Sequence, residues 1–264
     1  TYTEQLLIQA PDFPNGLSIR AQESPKGPDA SVIDCDQSYT GAPETCIYVL
    51  GDLNGMIGES IELGTAYGIE QDQWRGMLIR NGMVTVARPG GGGIRVEDCT
   101  MPIVIRGNVI GEEGGENTAL MEGGGVWLRR NRSVLMALNE VKFNQIIGPE
   151  VGPEAGWPAR GAGVFHEWGQ LTTMYNKISN NTFNPANEFY GPKSGGGVYS
   201  QISTEESLTV CASEVSFNNA IQGGGIDVNI SATSMLPEDM GLEPQVHLEF
   251  NEVFENESWI PSYF

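Results

Sequence analysis

Gly195-Gly196-Gly197-Val198 is one of five versions of a phrase that the chain repeats. The others are Gly91-Gly92-Gly93-Ile94, Gly123-Gly124-Gly125-Val126, Gly161-Ala162-Gly163-Val164 and Gly223-Gly224-Gly225-Ile226, with their branched residues 32, 38, 34 and 28 positions apart. A second phrase follows each copy: alternating apolar residues, an Asn, a branched residue, then often Phe-Asn. It reads IVIRGNVI around Asn108, LMALNEVKFN around Asn139 and Asn144, and TMYNKISNNTFN around Asn176 and Asn184. It continues as TVCASEVSFNN around Asn218, where Ser213 replaces the first Asn, and VHLEFNEVFEN around Asn251 and Asn256. Apolar alternation over short segments is the period of a half-buried strand, and no stretch carries a helical stripe. Short strands between Gly and Asn turns, recurring about every 30 residues, cannot bury their apolar faces alone and must stack on their neighbours.

Stacking is expected to align Ile94, Val126, Val164, Val198 and Ile226 in one interior column, and Val141, Ile178, Val215 and Val253 in another. Phe143, Phe183, Phe217 and either Phe250 or Phe254 are expected as aromatic layers. The Asn residues are expected at left-handed corners, with amides hydrogen-bonded along the stack. Gly93, Gly125, Gly163, Gly197 and Gly225 are the expected corners, needing positive φ where a Cβ would strike the next turn of chain.

The pattern GGGI…N-x-I…F-N-N-A…GGGI resembles the right-handed parallel β-helix repeats of the pectin-lyase-like superfamily. It is most similar to the Gly-Gly-rich repeats of secreted and surface chains, including polymorphic outer-membrane proteins and adhesin-like proteins. The resemblance covers Gly91 to Asn256 well, and the segments at Gly16–Ala21, Ser31–Asp34, Cys46–Val49 and Met77–Gly82 read as opening coils. It implies an all-β, right-handed parallel β-helix solenoid in a single domain over 1–264. Residues 1–90 would form N-terminal coils with an irregular insertion near 51–76, residues 91–256 the repeat coils, and residues 257–264 a tail or cap. Further insertions are expected at 111–122, 147–160, 185–194 and 232–244, where Gly, Pro and Glu concentrate. The fold carries lyases, hydrolases, adhesins and tailspikes alike, so it does not by itself name an activity.

Composition narrows the partners. The 264 residues hold 14 Lys+Arg against 34 Asp+Glu, a formal net charge of −20, which repels phosphate backbones and argues against nucleic acid. No run of 18 apolar residues occurs, so no membrane span is expected. Of the four cysteines, Cys35 and Cys46 flank a turn-rich stretch and are expected to form a disulfide worth roughly 3 kcal/mol, leaving Cys99 and Cys211 as free thiols. A first residue that is not Met reads as the mark of a removed leader or of a trimmed chain. With the disulfide and the acidity it points to an extracellular or cell-surface location. N-x-S/T triplets stand at Asn131, Asn180, Asn229 and Asn256.

Two segments offer chemistry. RGAGVFHEW brings Arg160, His166, Glu167 and Trp168 together just after an expected insertion. His166 and Trp168 are expected on one exposed strand face, stacking a sugar ring and relaying a proton, with Glu167 on the other. WLRRNR supplies Arg129, Arg130 and Arg132, the one basic cluster, suited to an anion or uronate. Zinc, phosphate-loop and EF-hand patterns are absent, so no cofactor or metal is expected beyond Ca²⁺ on acidic loops. The leading expectation is a surface β-helix with a structural, adhesive or carbohydrate-binding role, its partners a glycan or surface polymer, or its own copies through the solenoid ends. The alternative is a polysaccharide lyase or glycoside hydrolase acting on an acidic polysaccharide, using Arg160, His166 and Glu167.

Overall fold

A computed structural model of the chain describes residues 5–20, 31–35, 45–53, 59–64, 76–84, 90–148, 158–184, 193–231 and 244–258. Most of the expected insertions at 51–76, 147–160, 185–194 and 232–244, and residues 259–264 of the tail, lie outside them. The described residues are all-β, with no α-helix and one 3-10 turn at Ala10–Asp12. Nearly every strand pairs parallel with a strand one pass of the chain away, in curled sheets compatible with a β-helix or solenoid.

Four rows of strands recur in fixed order. The first row runs Leu6–Gln9, Ile47–Leu50, Ile94–Glu97, the start of Val126–Ala137, the start of Val164–Met174, Val198–Ile202 and Ile226–Ile230. The second holds Leu17–Arg20, Ile61–Gly64, Ile103–Arg106, the ends of the two long strands, Ser207–Cys211 and Gln245–Glu249. The third runs from Ser31–Asp34 and Met77–Arg80 through Glu140–Lys142 to Glu252–Phe254. The fourth runs from Met83–Val84 to Thr182–Phe183, with Asn219–Ala220 and Glu257–Ser258 paired beyond it.

The interior columns follow the alternation. Ile94, Val126, Val164, Val198 and Ile226 are successive partners, and so are Val141, Ile178, Val215 and Val253. Ile94, Val126, Val198, Val141, Ile178 and Val215 are fully buried. Burying one such side chain is worth about 1.5–3 kcal/mol, so the columns drive the stacking.

Three expectations change. The left-handed residue at each corner is not the Asn but the residue before it: Leu138, Phe143, Tyr175, Asn180, Ala212, Phe217, Phe250 and Glu255 all have φ between 47° and 58°. That turns the Asn inward. Asn117, Asn144, Asn181, Asn218 and Asn256 form one ladder, Nδ2 of each donating to Oδ1 of the next at 2.9–3.0 Å. The second Nδ2 hydrogen reaches a carbonyl of the preceding pass, as from Asn181 to Val141 O at 3.0 Å. A parallel ladder joins Asn108, Asn139 and Asn176, and Ser213 Oγ accepts from the Asn176 N–H at 3.2 Å where the carboxamide is missing. Buried amides thus have all their hydrogen bonds made, which makes their burial affordable.

Second, Asn181 and not Asn184 is the ladder residue of its pass, so Phe183 does not align with Phe143 and Phe217. Phe183 pairs with Ile146 in the fourth row and is buried, whereas Phe217 and Phe250 point into solvent. Third, positive φ falls on the first Gly of each triplet, such as Gly195 at 66°. The third Gly serves packing alone: a Cβ on Gly197 would lie 2.6 Å from Gly225 O. The expected insertion at 111–122 is also part of the stack, since Asn117 heads a ladder and Ala119 is in the core. Cys35 and Cys46 are joined by a disulfide, while Cys99, buried, and Cys211, half-buried, are free thiols.

Candidate functional site

The outward side chains of the first row make two columns. One runs Tyr48, Arg95, Trp127, Phe165, Tyr199 and Asp227, and its neighbour runs Leu50, Glu97, Arg129, Glu167, Gln201 and Asn229. The first is a stack of rings and a cation. The Arg95 guanidinium lies 4.6 Å from the Tyr48 ring and 4.8 Å from that of Trp127. Trp127 and Phe165 stack at 6.1 Å, and Phe165 and Tyr199 at 5.6 Å. The rings of Trp127, Phe165 and Tyr199 are buried although they face away from the main core.

The second column alternates charge. Arg129 Nε lies 2.8 Å from Glu167 and its Nη1 4.0 Å from Glu97. Glu97 also meets Arg95 at 2.6 Å and accepts from the Tyr48 hydroxyl at 3.1 Å. Arg130 lies 2.6 Å from Asp98 and 3.7 Å from Glu97. Arg160 sits over the Tyr199 ring at 5.1 Å, donates to Gln201 at 3.2 Å and lies 3.9 Å from Glu122. Burial holds the Glu122 carboxyl above the usual carboxylate range, although Trp127 Nε1–H donates to it at 3.2 Å and Arg160 is nearby. Burial likewise raises the Tyr48 and Tyr199 hydroxyls.

Arg160, Glu167, Trp168, Arg129 and Arg130 therefore do converge on one face, with Arg129 5.3 Å from the Trp168 ring. Arg132 is exposed and makes no ion pair among the described residues. His166 is not on that face. It shares parity with Val164, lies fully buried in the interior, and its Nδ1 is 2.9 Å from Ser200 Oγ. Trp168 leaves the alternation because its φ is 60°, a corner between the first and second rows. A sealed, neutral imidazole does not relay protons to a substrate outside. Glu122, Glu97 and Tyr199 belong to the face and carry no motif. The signal that finds them is column register, because each lies beside or one pass away from an Arg. No group of three or more His, Cys, Asp or Glu among the described residues is placed to hold a metal ion. No helix among them is long and apolar enough to cross a membrane. Compared with protein-family models, curated proteins and solved structures, the chain matches none.

Proposed function

We propose that the chain is a right-handed parallel β-helix of an extracellular or surface setting, and that it binds carbohydrate without turning it over. The carrying observation is a set of bulky rings in costly places. Tyr175, Phe217 and Phe250 occupy left-handed corners and are 56%, 51% and 87% exposed. A bulky residue there costs about 1 kcal/mol or more and an exposed ring gains little burial in return. The chain meets the same geometry cheaply elsewhere, with Asn180 and Gly107. Phe217 recovers part of this in an edge-on contact with Phe254 at 5.8 Å. At Tyr175 and Phe250 strain with little folding return points to an external contact, and exposed ring faces suit the C–H faces of a sugar. The charged columns of the first row support the same reading. Glu97, Arg129 and Glu167 alternate over three successive passes, each carboxylate meeting the guanidinium between them, as a stacking device does and a localised reaction centre does not. On a panel of immobilised neutral and acidic glycans, Tyr175→Asn and Phe250→Asn should each weaken binding about ten-fold, a loss of roughly 1.4 kcal/mol. Each should also raise unfolding stability by about 1 kcal/mol. Undiminished glycan binding in both variants defeats the proposal.

A second reading, a glycoside hydrolase or polysaccharide lyase acting on an acidic polysaccharide, rests on Glu122. A carboxyl whose pKa burial raises, with Glu167, Arg129 and Arg160 around it, is the kind of group that could donate a proton to a glycosidic oxygen. Turnover of any polysaccharide that Glu122→Gln abolishes and Tyr175→Asn spares would favour it. A panel without turnover, followed by unsaturated uronate absorbance and reducing ends, removes it.

A further inference from the structure

We infer that the bound glycan is a neutral, extended, β-1,4-linked chain of hexoses, laid lengthwise over the outer face of the third row. The inference rests on the carbohydrate-binding reading above and names the ligand class and its track. It starts from the order of the rings. Two left-handed corners bound the third row in each pass. The corner before it carries Leu138, Tyr175 and Ala212 in successive passes, and the corner after it carries Phe143, Asn180 and Phe217. Each pass therefore holds one ring, and the ring changes edge from pass to pass. Phe143, Tyr175 and Phe217 share a φ of 54–55°, and Phe250 continues the alternation in the next pass. The first three lie in passes whose third-row strands are paired on both edges, so the pattern stands without the last described pass. Tyr175 and Phe217 are more than half exposed and Phe143 is half-buried. Phe217 also leans on Phe254, which holds its ring in place at that edge.

Charge and spacing select the occupant. Between the two edges the face is polar and self-neutralised. Glu140, Lys177 and Glu214 are register partners in one outward column, Lys177 lies 3.2 Å from Glu214, and Lys142 lies 2.5 Å from Glu140. Such pairs offer donors and acceptors to hydroxyl groups, while a body of net charge −20 repels an acidic polymer. Successive passes are ~4.8 Å apart, so rings on one edge recur every second pass, at ~10 Å. In an extended β-1,4-linked hexose chain each sugar advances by little more than one pass and is turned over relative to the one before. Its hydroxymethyl groups therefore leave on alternate edges, and the C–H groups beside them meet a ring first on one side of the face and then on the other. A pentose chain of the same linkage lacks those hydroxymethyl groups. An α-1,4-linked hexose chain has them but coils away from a straight track.

The test is isothermal titration calorimetry of the full chain with cello-, xylo-, malto- and galacturono-oligosaccharides. Affinity should rise about ten-fold from cellobiose to cellotetraose, as successive sugars reach further rings. Cellotetraose should bind about five-fold more tightly than the xylose, maltose-type or acidic tetramers. Phe143→Asn and Tyr175→Asn should each weaken cellotetraose about five-fold and leave the xylose tetramer unchanged. Asn180 already stands in the corner column of Phe143, so Asn fits there, and circular dichroism checks the fold of both variants. Equal affinity for the cellulose and xylan fragments overturns this inference and leaves the carbohydrate-binding reading standing. So does tighter binding of the acidic tetramer, or a Phe143→Asn variant that binds cellotetraose like wild type. A chain that binds no glycan of any class defeats both.

Discussion

Gly197→Val should be strongly destabilising, costing about 4 kcal/mol or more. The reason is local. A Cβ at Gly197 would lie 2.6 Å from Gly225 O, 2.9 Å from Asn218 Nδ2 and 3.0 Å from Val215 Cγ1. The first contact wedges two passes apart, the second breaks the Asn ladder, and the third intrudes on the interior column. None of these is the yielding tip of a long side chain. Overpacking a full core costs about 1–3 kcal/mol, and stranding a buried amide adds about as much again. Since the obstruction begins at Cβ, Gly197→Ala should already cost about 2 kcal/mol or more. Gly114 supplies the contrast. Its φ is +77° but nothing lies within 4 Å of its Cβ position, so Gly114→Ala should cost only the backbone strain of about 1 kcal/mol. Chemical denaturation of the three variants separates the two roles of glycine. Equal costs at positions 114 and 197 would mean that Gly197 serves only to turn the chain.

That contrast also marks what the sequence discloses. The columns through Val126 and Val141 were legible because a period of two has a fixed meaning once one inward residue is known. The Asn ladders were legible at Asn108, Asn139, Asn144, Asn176, Asn218 and Asn256, but the left-handed corner was misplaced by one residue. Two neighbours, such as Phe143 and Asn144, share a corner, and either is chemically able to take the left-handed conformation; only the buried ladder decides that the Phe does so. The slip at Asn184 has a similar origin. NNTFN, residues 180–184, offers three Asn within five positions, and the third-row strand Lys177–Ser179 fixes which one follows it. The charged face was half legible. Arg160, Glu167 and Trp168 are close in sequence, but Glu122 approaches Arg160 only through the pairing of Glu122 with Arg160 across passes. His166 was readable and misread: parity with Val164, itself an interior residue, already sends it inward.

His166 gives the second large effect. It occupies the inward column between Leu128 and Ser200, fully buried, and burial pushes its pKa down to about 3. Its Nε2 has no hydrogen-bond partner. In the unfolded chain the imidazole titrates near 6.5. Above that pH both states hold it neutral and it contributes no pH dependence. As pH falls from 6.5 towards 3 the unfolded chain takes up a proton that the fold refuses, so stability is lost by about 1.4 kcal/mol per pH unit. Between pH 6.5 and pH 4 this amounts to about 3 kcal/mol, a large part of the stability of an ordinary domain. The acidic surface titrates in the same range, so wild type alone does not isolate the effect. His166→Leu with Ser200→Ala does, since Leu128 shows that a Leu fits this column one pass away and the double change strands no hydroxyl. The variant should be as stable as wild type or more so at pH 7, because an orphaned buried nitrogen is removed. Its advantage should then widen by about 3 kcal/mol at pH 4. An advantage that stays constant between the two pH values would mean that the folded protein admits the proton, and that water reaches His166 inside the stack.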